Sequence, residues 1–353
     1  MSGDQGPREE DRIAVRPSPA RSSAPVPLTS RPRRRLQILA LLIACATAFV
    51  LQVATSIGAP GWKPLAPLAA GPRQETAVVA LGGRIYVLGG FDRQNRIVDI
   101  VEVYDPTRDR WESRKPLPMP LHHANAAVVS NKLYVVGALT GMDFRAVGVA
   151  FEYDVKADTW TPKAAMPPGT ERGAAAVMVL GTRIYVAGGL RGASVGDFSA
   201  YDTATDRWES LPPMPGPRDH LIGGVVKGIL FAVGGRGPAM GLTGRVDAFD
   251  PNAKTWSMRK AMPTARAGCA AGVIGDRIIV AGGEGDRGRP DGVFVEVEAY
   301  DAGADAWKSL PPMLTPRHGT GGVALGGKLY VPGGATREGF GATDVNEAFD
   351  PES

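Results

Sequence analysis

Disulfide chemistry has almost no raw material in this sequence. Cysteine occurs twice in 353 residues, as Cys45 and Cys269. The first lies in an apolar N-terminal run and the second in a later strand-like segment, so no disulfide framework can be built and cysteine usage says nothing of the redox compartment. An excess of one charge is also missing where it would count. Residues 1–35 hold eight arginines against four acids, and the rest of the chain carries 32 basic and 32 acidic side chains. The net charge of +4 therefore belongs to the N-terminal tail. The neutral remainder gives no electrostatic footprint for nucleic acid, and none is expected as a partner. Helical periodicity is absent after residue 57. Histidine is scarce, with four copies.

One long hydrophobic run is present. Residues 1–30 are rich in Pro, Ser, Arg and Ala, a composition that cannot bury enough apolar surface to offset its ordering entropy, and they read as disordered. The cluster "RPRRR", Arg31–Arg35, then precedes "LQILALLIACATAFVLQVA", Leu36–Ala54, which holds no charge. At about 1.5 Å per residue this run spans roughly 28 Å, close to a bilayer core. The expectation is a signal-anchor helix over residues 36–57. Its basic flank and the lack of Lys or Arg before Lys63 place residues 1–35 in the cytoplasm and residues 58–353 on the far side, in the periplasm or outside the cell. Two other readings stay open. Ala54–Ser56 offers small residues for cleavage of a signal peptide, and "LIAC", Leu42–Cys45, resembles a lipoprotein box.

Glycine is abundant, with 46 copies, and it is periodic. It closes "RIYVLGGF" (Arg84–Phe91), "KLYVVGAL" (Lys132–Leu139), "RIYVAGGL" (Arg183–Leu190), "ILFAVGGR" (Ile229–Arg236), "RIIVAGGE" (Arg277–Glu284) and "KLYVPGGA" (Lys328–Ala335). The first glycine of each falls at 89, 137, 188, 234, 282 and 333, a period near 50 that marks a repeat array or propeller. About 15 residues on comes an aromatic-Asp pair, Tyr104-Asp105, Tyr153-Asp154, Tyr201-Asp202, Phe249-Asp250, Tyr300-Asp301 and Phe349-Asp350. Trp follows it at 111, 160, 208, 256 and 307, and then a Pro-rich turn. Each repeat divides into four short apolar runs, a four-stranded meander. The double glycine marks strand ends where no side chain would fit.

Glycines, Tyr-Asp, Trp and Met-Pro recurring in this order resemble the kelch repeat over residues 60–353. Gly137-Ala138 is the one departure from the double glycine. The resemblance implies an all-β, six-bladed kelch β-propeller, monomeric, over residues 58–353. The sixth aromatic-Asp pair has no Trp after it, and the spare Trp62 lies before the first glycine motif. Residues 60–68 are therefore expected to supply the outer strand of the last blade and remove an unpaired edge.

Sixteen residues before the first glycine of each motif stand Arg73, Leu121, Arg172, Arg218, Arg266 and Arg317. Five arginines thus open the inner strands, on the face that also carries the loops after the double glycines. Those loops add Arg93, Arg96, Arg145, Arg191, Arg236, Arg287, Arg289 and Arg337, and His122, His123, His220 and His318 lie just after the ring positions, near Glu75 and Asp219. The expected ligand-binding residues are Arg73, Arg172, Arg218, Arg266, Arg317, His122, His220 and His318. An arginine-lined face suits an acidic protein segment or an anionic glycan, since the guanidinium fork pairs with carboxylates bidentately. Pairing of these arginines with acids inside the fold is the competing reading. Similarity to six-repeat bacterial sialic-acid mutarotases implies an alternative, a sugar-active enzyme with Asp219/His220 or Glu75 as acid and base. Galactose oxidase-like chemistry needs a Tyr cross-linked to Cys, and Cys269 sits within a strand-like run away from any suitable Tyr, so no cofactor and no metal are expected.

Overall fold

The computed structural model describes residues 61–238 and 241–353. The tail expected over residues 1–35 and the helix expected over residues 36–57 lie outside the described residues. Among the described residues no helix is long and apolar enough to cross a membrane.

Short apolar, β-branched runs cut by Gly, Pro and Asp turns each form one strand. They assemble into six four-stranded antiparallel sheets. Strands are lettered a to d from the inside of each blade outward. The first blade is built from Ala77–Leu81, Arg84–Leu88, Val101–Asp105 and Arg110–Arg114. The sixth takes strands a to c from Val323–Leu325, Lys328–Pro332 and Asn346–Phe349, and its strand d from Trp62–Leu65. That last pairing is antiparallel, with Trp62 opposite Phe349. The inner strands pack against one another in sequence and the last meets the first, so the blades close around a central axis.

The aromatic repeat is the outer seam. In each blade the strand-c aromatic sits directly across from the strand-d Trp, as in Tyr104 opposite Trp111 and Tyr201 opposite Trp208. The ring centroids of these pairs lie 4.8–5.2 Å apart, and the Phe349–Trp62 pair, at 5.0 Å, is one of them. Each indole then donates a hydrogen bond to a carbonyl just beyond the strand d of the preceding blade. Trp111 Nε1 reaches Ala66 O at 2.8 Å, Trp208 reaches Ala164 O at 2.8 Å, and Trp62 reaches Pro311 O at 3.2 Å. A buried Trp needs such a partner for its N–H, and here the partner ties neighbouring blades.

The double glycine is the inner seam. A Cβ on Gly188 would stand 2.6 Å from Arg218 O of the next blade, and one on Gly333 would stand 2.8 Å from Arg73 O. The same relation, first glycine against the ring-position carbonyl of the following blade, holds in all six blades. The second glycine donates its N–H to that carbonyl, as in Gly90 to Leu121 O at 2.8 Å and Gly334 to Arg73 O at 2.8 Å. Both glycines are left-handed, with φ of 66° and 112° at Gly188 and Gly189. The motif is thus needed twice over, for conformation and for space.

The second blade explains its own departure. Where Gly137-Ala138 replaces the double glycine, strand b does not break but runs on from Lys132 to Thr140 against a long strand c, Arg145–Asp154. The Asn125 side chain takes over the clasp, donating to Arg172 O at 2.9 Å and Val136 O at 3.1 Å.

Candidate functional site

The five ring arginines span the blades and do not line an open face. Arg73, Arg172, Arg218, Arg266 and Arg317 are 0–1% exposed. Each guanidinium passes under strand b towards strand c. Arg73 pairs with Glu102 at 2.5 Å, Arg218 with Asp247 at 2.8 Å, Arg266 with Glu298 at 2.6 Å and Arg317 with Glu347 at 2.6 Å. Arg172 has Ser199 Oγ instead, at 2.9 Å. Arg172, Arg218 and Arg317 also donate through Nε to the carbonyl of their own blade's first glycine at 2.9 Å. These bonds satisfy carbonyls set free where the b–c ladder splits, and the second blade, whose strand b runs on past Gly137 opposite a bulge in strand c, has Leu121 in place of the arginine. The expectation of an exposed arginine-lined contact is therefore corrected for these five: burial and internal pairing hold them inside the blades, and the two donors left without a partner, Arg73 Nε and Arg266 Nε, are buried there too.

Two residues beyond each ring position the chain forms a collar. The six residues are Glu75, His123, Ala174, His220, Gly268 and Gly319, and all have φ between 50° and 65°. Their backbones are joined in a closed circle. His123 N donates to Glu75 O at 3.0 Å, Ala174 N to His123 O at 2.9 Å, His220 N to Ala174 O at 2.8 Å, Gly268 N to His220 O at 3.0 Å and Gly319 N to Gly268 O at 3.0 Å, and Glu75 N donates to Gly319 O. The collar surrounds the axis at the entrance to the inner strands. A cavity of about 120 Å³ lies within it, lined by Glu75, His123, His220 and the small residues Ala174, Gly268 and Gly319.

The expected His122, His220 and His318 are brought together around this collar with His123 and Glu75. His123 Nε2 lies 2.8 Å from His220 Nε2 and 2.9 Å from Glu75 Oε2. His122 Nδ1 faces His123 Nδ1 at 2.6 Å, and His220 Nδ1 faces Asp219 Oδ1 at 2.5 Å. Arg236 bridges Asp219 and Glu284, each at 2.9 Å, and His318 Nδ1 stands 3.3 Å from Glu284 Oε2. Phe91 and Phe144 pack on His122, with centroids 4.4 and 4.9 Å away.

Burial governs the protonation of the cluster. It drives the His122 pKa down to about 3, with the neighbouring His123 pushing the same way. It also lowers His220, where the Asp219 hydrogen bond pulls upward and Arg236 pushes down again. Burial alone would raise the two carboxylic acids. At Asp219 the His220 hydrogen bond overrides it and holds the group at about 2. At Glu75 the charge and hydrogen bond of His123, with His318 and His220 behind, hold it well below the ordinary carboxylate range. The ligating atoms of Glu75, His123 and His220 all lie within 4.8 Å of one another, a set able to hold a metal ion.

Read along the chain, the His122-His123 pair, His220 and His318 sit far apart in separate repeats, and no local ligand spacing announces them. The signal that unites His123 and His220 with Glu75 is their shared offset of two from the ring position, where the backbone is left-handed, a conformation non-glycine residues seldom adopt; His122 and His318 stand one residue past their ring positions. Cys269 borders the same cavity, and burial raises its thiol to about 11, which leaves it inert as a nucleophile.

A family profile described as the KLHDC2/KLHL20/DRC7 Kelch-repeats domain matches residues 60–235 and 128–334. The Kelch-like protein terF of Aspergillus terreus is 37% identical over 297 residues, covering 79% of this chain and 65% of that protein. Kelch-like protein 35 of Mus musculus is 32% identical over 175 residues, covering 50% of this chain and 29% of that protein. The chain thus spans less than two thirds of these relatives. The structure of YjhT superposes with a TM-score of 0.66 at 17% identity, covering 80% of this chain and 95% of YjhT, a likeness of fold alone.

Arg317→Ala is expected to lower the unfolding free energy by about 3–5 kcal/mol, since it leaves Glu347 buried without its cation. Urea unfolding of the purified chain measures it. A loss below about 1 kcal/mol would mean that the arginine is not holding the blade.

Proposed function

This chain belongs to the kelch-repeat family, a family of protein-interaction modules, and we propose that its propeller grips an acidic segment of a partner protein on the face that carries the b–c loops. The observation that carries this reading is the division of the arginines into two sets. The ring set is sealed inside the blades. Of the loop set, Arg236 is drawn into the collar cluster and Arg191 and Arg289 pair with Asp197 and Asp291, whereas Arg96 and Arg287 are 73% and 85% exposed at the side chain. Arg93, Arg145 and Arg337 are exposed as well and make no ion pair among the described residues. Exposed Met142 and half-buried Phe144 and Phe340 lie on the same loops and offer apolar contact between the charges. Loops on a rigid scaffold are where recognition is most readily placed.

The triple substitution Arg93→Ala/Arg145→Ala/Arg337→Ala tests this reading on the full-length chain, with displayed peptides as probe. The expected binders are acidic, weaken with added salt, and lose roughly tenfold in affinity in the triple variant, as three exposed pairs of about 0.5 kcal/mol each would give. The melting temperature should not move. Binders without acidic residues, or affinity untouched by the triple variant, would overturn it. Capture of an anionic oligosaccharide in place of peptides would shift the ligand class to a glycan.

The run Leu36–Ala54 behind Arg31–Arg35 supports a second part of the reading, that residues 36–57 tether the propeller to a membrane with residues 1–35 in the cytoplasm. Protease added to intact cells, or to spheroplasts for a host with an outer membrane, should then remove the propeller and spare an epitope on residues 1–35. A propeller protected until the membrane is broken would contradict this.

A further inference from the structure

The cluster at the collar contains more lone pairs than protons. The hydrogen-bond partners fix where each imidazole proton sits. His122 Nε2 faces the Gly141 carbonyl at 3.1 Å and must donate to it, which leaves a lone pair on His122 Nδ1. That lone pair faces His123 Nδ1 at 2.6 Å, so His123 carries its proton on Nδ1. His220 Nδ1 faces the Asp219 carboxylate at 2.5 Å and carries its proton there. Both Nε2 atoms are then bare, and they point at each other across 2.8 Å. The Glu75 carboxylate completes the set, 2.9 Å from His123 Nε2. With neutral imidazoles three acceptors converge with no hydrogen between them, and the charge of His123 felt by Glu75 requires a cation at this point, either a proton on His123 Nε2 or a metal ion.

A second observation comes from another blade. His318 is 1% exposed and donates Nε2–H to Arg337 O at 2.9 Å. Its Nδ1 is buried without a hydrogen-bond partner. It points into the same space, 3.9 Å from Glu75 Oε1 and 3.3 Å from Glu284 Oε2. Arg236 does not fill the deficit. Its Nη2 is 3.1 and 3.2 Å from the two ring nitrogens of His220, the position of a guanidinium laid on the ring face, not of a donor on either lone pair. With neutral imidazoles, Glu75, Asp219 and Glu284 against Arg236 leave the cluster at a net charge of −2.

We propose that the collar is a binding site for one divalent transition-metal ion of the zinc class, ligated by His123 Nε2, His220 Nε2 and the Glu75 carboxylate. Two imidazoles and a carboxylate are the donor set of zinc sites that keep a position open. Tetrahedral bonds of about 2.0–2.1 Å put donors roughly 3.3 Å apart, so the two spacings made by His123 Nε2 need to widen by about half an ångström, while Glu75 and His220, within 4.8 Å of each other, need to draw closer. Asp219 on His220 Nδ1 and His122 on His123 Nδ1 are the outer partners that fix tautomer and ring orientation at metal-bound histidines. A dication neutralises the cluster, and the cavity beside it gives the open position access to water or a ligand. Glu75, His123 and His220 hold left-handed backbones at positions where Gly268 and Gly319 do the same at lower cost.

All four histidines of the chain belong to this cluster, which makes the test specific. The full-length chain, stripped with chelator, is titrated with Zn²⁺ alone by calorimetry, and with Co²⁺ alone by visible absorption. The expected result is saturable one-to-one Zn²⁺ binding of micromolar affinity or tighter, and intense Co²⁺ bands of a four- or five-coordinate site. His220→Ala should abolish both, and Asp219→Asn should weaken Zn²⁺ by roughly 10–100-fold while leaving the ligands intact. Absence of one-to-one Zn²⁺ binding to the unaltered chain would overturn the proposal and leave a proton shared by His123 and Glu75 as the occupant. Binding that persists unchanged in His220→Ala, or the weak Co²⁺ bands of six-coordinate ion, would overturn it as well. The Co²⁺ spectrum of the unaltered chain decides the matter even where a variant fails to fold.

Discussion

The close approach of each first glycine to a carbonyl of the next blade is the constraint on which the rest of this propeller depends. A blade of four twisted strands has two open faces and an inner edge, and it gains stability only by packing on its neighbours. At the inner end the neighbours meet backbone to backbone at each first glycine. Gly188 lies where even a methyl group would press on Arg218 O, and Gly189 returns a hydrogen bond to that same carbonyl at 2.9 Å. Once the clasp is set, the chain after each ring position is steered into the collar, and six separate repeats share one circle of hydrogen bonds.

The electrostatics follow from this geometry. A strand that breaks at Gly-Gly abandons carbonyls that water cannot reach, and a buried guanidinium satisfies several at once. In four of the five arginine-bearing blades that charge is met by a buried carboxylate, from Glu102, Asp247, Glu298 or Glu347, while Arg172 has Ser199 Oγ. A buried pair of this kind is costly to break and adds little net stability over an apolar substitute. Its service is to fix where the strand ends and so where the collar side chains stand. The histidines and Glu75 are thereby held on a rigid backbone, the condition that a precise constellation of ligands or acid–base groups requires.

Much of the fold was legible in the sequence. The period of the glycines, the Tyr-Asp pairs and the unmatched Trp62 each have a mechanical counterpart, because each marks a contact made once per blade. The arginines show the limit of that reading. Five arginines at one offset look the same whether they face solvent or cross beneath a strand, and only the strand-c acids distinguish the two. Those acids lie about 30 residues away and alternate with apolar positions as any strand does. The collar was illegible for a different reason. His123 and His220 lie 97 residues apart, and their meeting is set by closure of the ring, a global property that no local spacing encodes. His122 and His318 stand directly after ring positions, Leu121 and Arg317, yet their role is to hold protons and lone pairs in the cluster.

The inner clasp can be tested with two alanines. Gly181 and Gly188 have nearly the same left-handed backbone, φ 62° and 66°, but a Cβ on Gly181 meets nothing within 4 Å while one on Gly188 meets Arg218 O at 2.6 Å. The conformational cost of alanine is thus common to both, and the difference isolates the contact between blades. Urea unfolding should show Gly188→Ala losing at least about 2 kcal/mol more than Gly181→Ala, as overpacking against backbone predicts. Equal losses in the two variants would contradict the account, since the glycine would then be required for its conformation alone.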